Sequence, residues 1–144
     1  MKRKEPKPPP GGPPLRFARR NELAIIAQRS GFQRGAELGV KIADFTVTNL
    51  KAWPAAKDYL LVDLWASQEN YIDLNNKDAE SQEKRYQTTL RRTNRFKDIV
   101  RVCRNYTNVC VQSEQDLYFD FIYIDARYSL AGVVLWESEC TARV

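Results

Sequence analysis

A chain of 144 residues that is 43% hydrophobic and 28% charged amounts to one domain, large enough to bury a core. No apolar run approaches the roughly 18 residues of a membrane span, and the first twenty residues lack the apolar stretch of a secretory signal, so no membrane association and a cytoplasmic location are expected. The absence of histidine removes the commonest general base near neutral pH and, with only three scattered cysteines, argues against a zinc site.

The net charge of +5 is unevenly spread. Residues 1–20 carry seven Lys or Arg against one Glu, whereas residues 21–144 carry 16 basic and 17 acidic side chains. Basicity therefore belongs to the amino-terminal segment, which weakens a nucleic-acid reading of the whole chain. That segment also holds six of the seven prolines, in "PKPPPGGPP", a run that forms neither helix nor ladder. Residues 1–20 are read as a disordered basic tail and 21–144 as the folded domain. Cys103, Cys110 and Cys140 have no framework spacing and are expected to be reduced thiols.

The folded part opens with "NELAIIAQRSGF", where Leu23, Ile26 and Ala27 recur at helical spacing and Gly31 is a stop. "GAELGV" follows as a short buried strand. "ADFTVTNLKAW" is the next helix, ended by Pro54. "KDYLLVDLW" is a second strand, and its apolar run from Tyr59 to Val62 looks buried on both faces, as parallel strands are. A long polar stretch then gives a loop around residues 70–76, a candidate lid or plain connector, and a helix from about Asp78 to Thr93. In that helix, Tyr86 and Leu90 lie one turn apart on an inward face. "DIVRVCR" is a third strand, "TNVCVQSEQ" a short helix with Thr107 as its candidate cap, and "YFDFIYIDA" a fourth strand. "SLAGVVLWESEC" starts a last helix.

Alternation of this kind predicts a mainly parallel sheet with helices on both faces, a three-layer α/β/α architecture. Ligands in such sheets bind outside the carboxyl ends of the strands. Three predicted strands carry a carboxylate at or near that end: Glu37, Asp63 and Asp125. Gly39 lies just past the first strand, where a glycine lets backbone approach a ligand. Asp63 is 24 residues further on, close to the spacing at which an acidic side chain reaches a ribose diol. The stretch from Gly35 to Ala43 does not carry the G-x-G-x-x-G of dinucleotide sites, so a nucleoside without pyrophosphate fits better than NAD. Asp120 and Asp125 point to opposite strand faces, which disfavours a paired-carboxylate hydrolase.

Together, "AELGVKIADFT", "YLLVDLW" and "FDFIYIDARYSLAGV" resemble the class I, Rossmann-like S-adenosylmethionine-dependent methyltransferases. The nearest branch carries D-A-x-H-x-Y-x-x-V after its fourth strand. The resemblance implies S-adenosylmethionine as cofactor and a small-molecule methyl acceptor. It implies that Glu37 and Gly39 line the methionine and ribose, with Lys41 in the same turn. Asp63 would hold the ribose hydroxyls, Leu64 and Trp65 would flank the adenine, and Thr107 would lie near its edge. Asp125 would face the transferring methyl as the catalytic group. The pattern departs at Ala43, which replaces a glycine, and at Tyr128 and Leu130, which replace the histidine and tyrosine.

The family domain continues for three more strands, so the expectation here is a truncated domain, incomplete in its carboxyl-terminal half and marginally stable. A sheet edge left open in this way would invite homo- or hetero-oligomers. Two alternatives carry their own signatures. An inactive, methyltransferase-like interaction module would bind nucleoside without turnover. A basic-tailed nucleic-acid binder would show salt dependence that vanishes with residues 1–20.

Overall fold

A computed structural model describes residues 19–69 and 71–126. A 3-10 turn at Arg20–Glu22 leads into helix α1 (Leu23–Arg29). Then come strand β1 (Arg34–Leu38), helix α2 (Asp44–Ala52), strand β2 (Asp58–Asp63), helix α3 (Ala79–Thr93), strand β3 (Val100–Arg104), helix α4 (Thr107–Cys110) and strand β4 (Phe121–Ile124). The expected tail over residues 1–18 and the last predicted helix lie outside the described residues.

The four strands form one parallel sheet in the order β3-β2-β1-β4. The architecture is therefore α/β with a Rossmann-like layout, as expected from the alternation of elements. The chain steps outward from β1 to β2 and β3, then returns to place β4 on the other side of β1. The switch point, where ligands bind in open parallel sheets, falls between β1 and β4.

Alternation along β2 divides the core. Tyr59 and Leu61 join Leu50, Trp53 and Trp65 on the face covered by α1, α2 and α3. Leu60 and Val62 join Ala36, Leu38, Cys110 and Val111 on the opposite face, under α4. The central residues of β1 and β2 are buried throughout, as the continuous apolar run predicts, whereas β4 is only half-buried along its length.

Three sequence expectations change in detail. Helix α4 is a single turn extended by a 3-10 turn at Val111–Ser113, and its cap position is Tyr106, not Thr107. Thr107 is already helical, and the neighbouring Asn105 side chain accepts a bond from the Tyr106 N–H. Tyr86 does pack inward against Trp65, but the buried residues of α3 are Gln82, Thr89 and Thr93. Each of these polar groups is satisfied by a backbone carbonyl, of Asn75, Lys41 and Thr89 respectively, which removes the penalty for burying it. Finally, Cys103 and Cys110 are joined in a disulfide, correcting the expectation of free thiols. The chain turns back from β3 into α4 and brings their Cα atoms to 6.0 Å, within the range a bridge requires. Cys140 lies outside the described residues.

Candidate functional site

A cavity of about 930 Å³ opens at the carboxyl ends of the strands. All eight residues singled out in the sequence line it: Glu37, Gly39, Lys41, Asp63, Leu64, Trp65, Thr107 and Asp125. They come from the exits of β1, β2 and β4 and from the start of α4, so the sheet brings together positions up to 88 residues apart.

The turn between β1 and α2 is the floor of this site. Gly39 has φ +89°, and a Cβ there would stand 2.2 Å from the carbonyl oxygen of Asp125. Only glycine allows β1 and β4 to close at that point. The Gly39 N–H bonds the Val62 carbonyl and the Asp125 N–H bonds the Leu38 carbonyl, so the ladder runs to the lip of the cavity. Lys41 and Ala43 also have φ +61°, a conformation costing about 1–2 kcal/mol for a residue with a side chain. Ala43 fits without a glycine and is fully buried.

Asp63 holds this strained turn in place. Its Oδ2 accepts the N–H groups of Val40 and Lys41, both at 2.8 Å, and its Oδ1 accepts from the Trp65 N–H at 3.2 Å. Each carboxylate oxygen has two lone pairs, so Oδ1 keeps capacity for a ligand hydroxyl. Trp65 completes the clamp from the far side: its indole N–H donates to the Lys41 carbonyl at 2.8 Å. Trp65 is 1% exposed and its ring packs on Tyr86, so it supports the wall more than it offers a free face. Leu64 is half-buried beside it.

Glu37 is the most confined of the acids, at 1% exposure. Its Oε2 accepts from the Thr46 hydroxyl at 2.7 Å and from the Tyr59 hydroxyl at 3.4 Å. Burial pushes its carboxyl up to about 8, against the lowering effect of these two hydrogen bonds and of the Arg20 charge. Tyr59, itself buried, is raised well above the ordinary phenol range by burial and by Glu37, so it stays a neutral hydroxyl. Asp125, by contrast, is exposed and ion-paired with Arg20 at 3.1 Å. The same guanidinium donates to the Tyr123 hydroxyl at 3.4 Å and sits over the Phe45 ring.

Sequence reasoning missed one part of the site and left a second open between a lid and a plain connector. Arg20 was counted with the basic tail, yet it closes one side of the cavity. The loop after β2 contributes Tyr71, Asp73, Asn75 and Asn76. Asn76 pins this loop by donating to the Gln68 and Tyr71 carbonyls and accepting from the Gln68 N–H. Asp73 accepts from the Asn75 N–H at 2.6 Å. The cluster of Asp and Asn in "YIDLNNKD" is the signal for such local side-chain turns. No protein-family model matches the chain, and no curated protein matches it with significance.

Proposed function

We propose that this chain binds S-adenosylmethionine at the carboxyl end of its sheet and serves as the cofactor-binding part of a methyltransferase acting on a small-molecule acceptor. The observation that carries the reading is the convergence of Glu37, Gly39, Asp63 and Asp125 on one cavity at the switch between β1 and β4. Three features fit such a cofactor. The cavity volume lies in the range of small-molecule sites. Four aspartates outnumber the three cations on its walls, which suits a positively charged ligand. Gly39 lets the exits of β1 and β4 close on each other, which sets Glu37 and Asp125 on one cavity.

The bound cofactor supplies a methyl group on a cationic sulfur. The protein's residues bind and orient. Asp63 offers Oδ1 to the ribose hydroxyls in a charge-assisted bond while its Oδ2 keeps the turn fixed. Thr107 and Leu64 border the base. Asp125 orients the methyl or takes a proton from the acceptor once Arg20 releases it. Positioning supplies most of the rate in such a transfer, and a base is needed only where the acceptor must lose a proton. The reading includes a cytoplasmic setting, in which the Cys103–Cys110 bond would be a transient, redox-responsive one.

Calorimetric titration with S-adenosylmethionine tests the proposal, alongside Asp63→Ala. Saturable binding that weakens at least tenfold in the variant is expected. A folded wild-type chain that takes up no heat from the ligand overturns the reading.

A further inference from the structure

Glu37 combines three properties whose combination the binding reading does not use. It lines the cavity, it is almost fully buried, and both of its hydrogen-bond partners are neutral hydroxyls. Most of the charged and titratable groups around it are engaged with one another. From the turn before α1, Arg20 is paired with Asp125 of the β4 exit and bonded to Tyr123 of β4. From β2 comes Tyr59, held neutral. From α2 come Thr46 and, through Tyr59, Asn49, neither of which carries a charge; Asp44 at the start of that helix pairs with Arg92 of α3. Lys41 lines the cavity from the intervening turn.

We propose that Glu37 carries its proton until a positively charged ligand enters the cavity and then ionises, so that a cationic ligand binds with release of one proton to solvent. An isolated ionised carboxylate at this depth is costly. A positive charge within a few ångström reverses that preference. The surrounding hydroxyls serve both states without moving, because the Thr46 and Tyr59 oxygens can donate to a carboxylate or accept from a carboxyl. The raised titration of the group agrees with this geometry. The device selects for charge: a neutral nucleoside leaves Glu37 protonated, whereas a sulfonium or ammonium converts it into a counter-ion.

The inference rests on the S-adenosylmethionine reading, and one experiment separates the two. Wild-type protein is titrated with S-adenosylmethionine, S-adenosylhomocysteine and adenosine at pH 7, in two buffers of different ionisation enthalpy. Close to one proton released per S-adenosylmethionine and none per adenosine is expected. Release with S-adenosylhomocysteine assigns the effect to the ligand's ammonium, and its absence there to the sulfonium; either supports the proposal. S-adenosylmethionine affinity should rise up to about tenfold per pH unit below pH 8 and level off above it. Glu37→Gln, checked for folding by circular dichroism, should bind with neither proton release nor that pH dependence. Binding of S-adenosylmethionine without proton release, or equal release with adenosine, overturns this inference alone. No binding of any of the three overturns it together with the function.

Discussion

The two ends of the sheet use the same residue types to opposite ends. At the amino end, Arg34, Asp58, Arg101, Glu114 and Asp120 are all paired. Asp120 accepts the Gln33 and Arg34 N–H groups at 2.9 and 3.0 Å and the Arg34 guanidinium at 3.3 Å. Arg101 is held between Asp58 and Glu114 by four bonds of 2.8–3.0 Å, and Tyr118 packs against both Arg34 and Arg101. At the carboxyl end, Glu37 is buried without a cation in contact, Lys41, Ala43 and Trp65 hold left-handed backbone, against Leu117 alone beside the amino end, and the surface opens into a cavity. The amino end is built to be satisfied. The carboxyl end keeps strain and uncompensated chemistry, which is where ligand sites concentrate.

The largest test of this contrast is Gly39→Ala. Overpacking costs about 1–3 kcal/mol and the left-handed backbone about 1–2 kcal/mol more, so a loss of about 2–5 kcal/mol is expected in urea unfolding. A loss below 1 kcal/mol would break the account of the β1–β4 closure.

Next comes Glu37→Gln. Because the folded carboxyl titrates at about 8, above its unfolded value, the folded state prefers the proton. Wild-type stability is therefore expected to fall as pH rises from about 4.5 to 8, then level. The variant should lack this slope and be more stable by a few kcal/mol at pH 8.5, read from denaturation midpoints at pH 5 and 8.5.

Asp120→Ala probes the other end and should cost about 1–2 kcal/mol through the loss of its charge-assisted bonds to Gln33 and Arg34. Its pH signature has the opposite sign. Burial raises the Asp120 carboxyl, but the Gln33 and Arg34 N–H bonds and the Arg34 charge outweigh it and set the group below its usual range. Its contribution is present above the unfolded carboxylate range and is lost as pH falls through the folded value.

The smallest effect is expected from Lys41→Gly. Relief of the φ +61° backbone, less the entropy glycine gains when unfolded, should stabilise by about 0.5–1 kcal/mol. Measuring ligand affinity in the same variant would show whether the Lys41 side chain matters to binding.

Much of this contrast was legible before the structure. β2 announces itself because both faces are buried and Tyr59 to Val62 are continuously apolar, and β1 reads as a short buried run beside it. Carboxylates at the strand exits mark the rim because nothing in a buried strand would otherwise retain them. The docking of α3 was not legible: Gln82, Thr89 and Thr93 are polar, and their burial depends on carbonyls from distant turns. Neither was the role of Arg20, whose neighbours in sequence are basic and proline-rich while its partner lies 105 residues away. The Cys103–Cys110 bridge escaped for a similar reason, since a pair seven residues apart becomes bondable only through the turn from β3 into α4.

The indole bond from Trp65 to the Lys41 carbonyl gives the molecule an optical probe at the turn between β1 and α2. Trp53 is the other tryptophan among the described residues, and it reports from the far side of α2, bonded to the Phe32 carbonyl. Any movement of the Lys41 peptide must change the polarity sensed by the Trp65 ring. Its emission maximum and quenching are therefore expected to shift if that turn moves, without an attached dye.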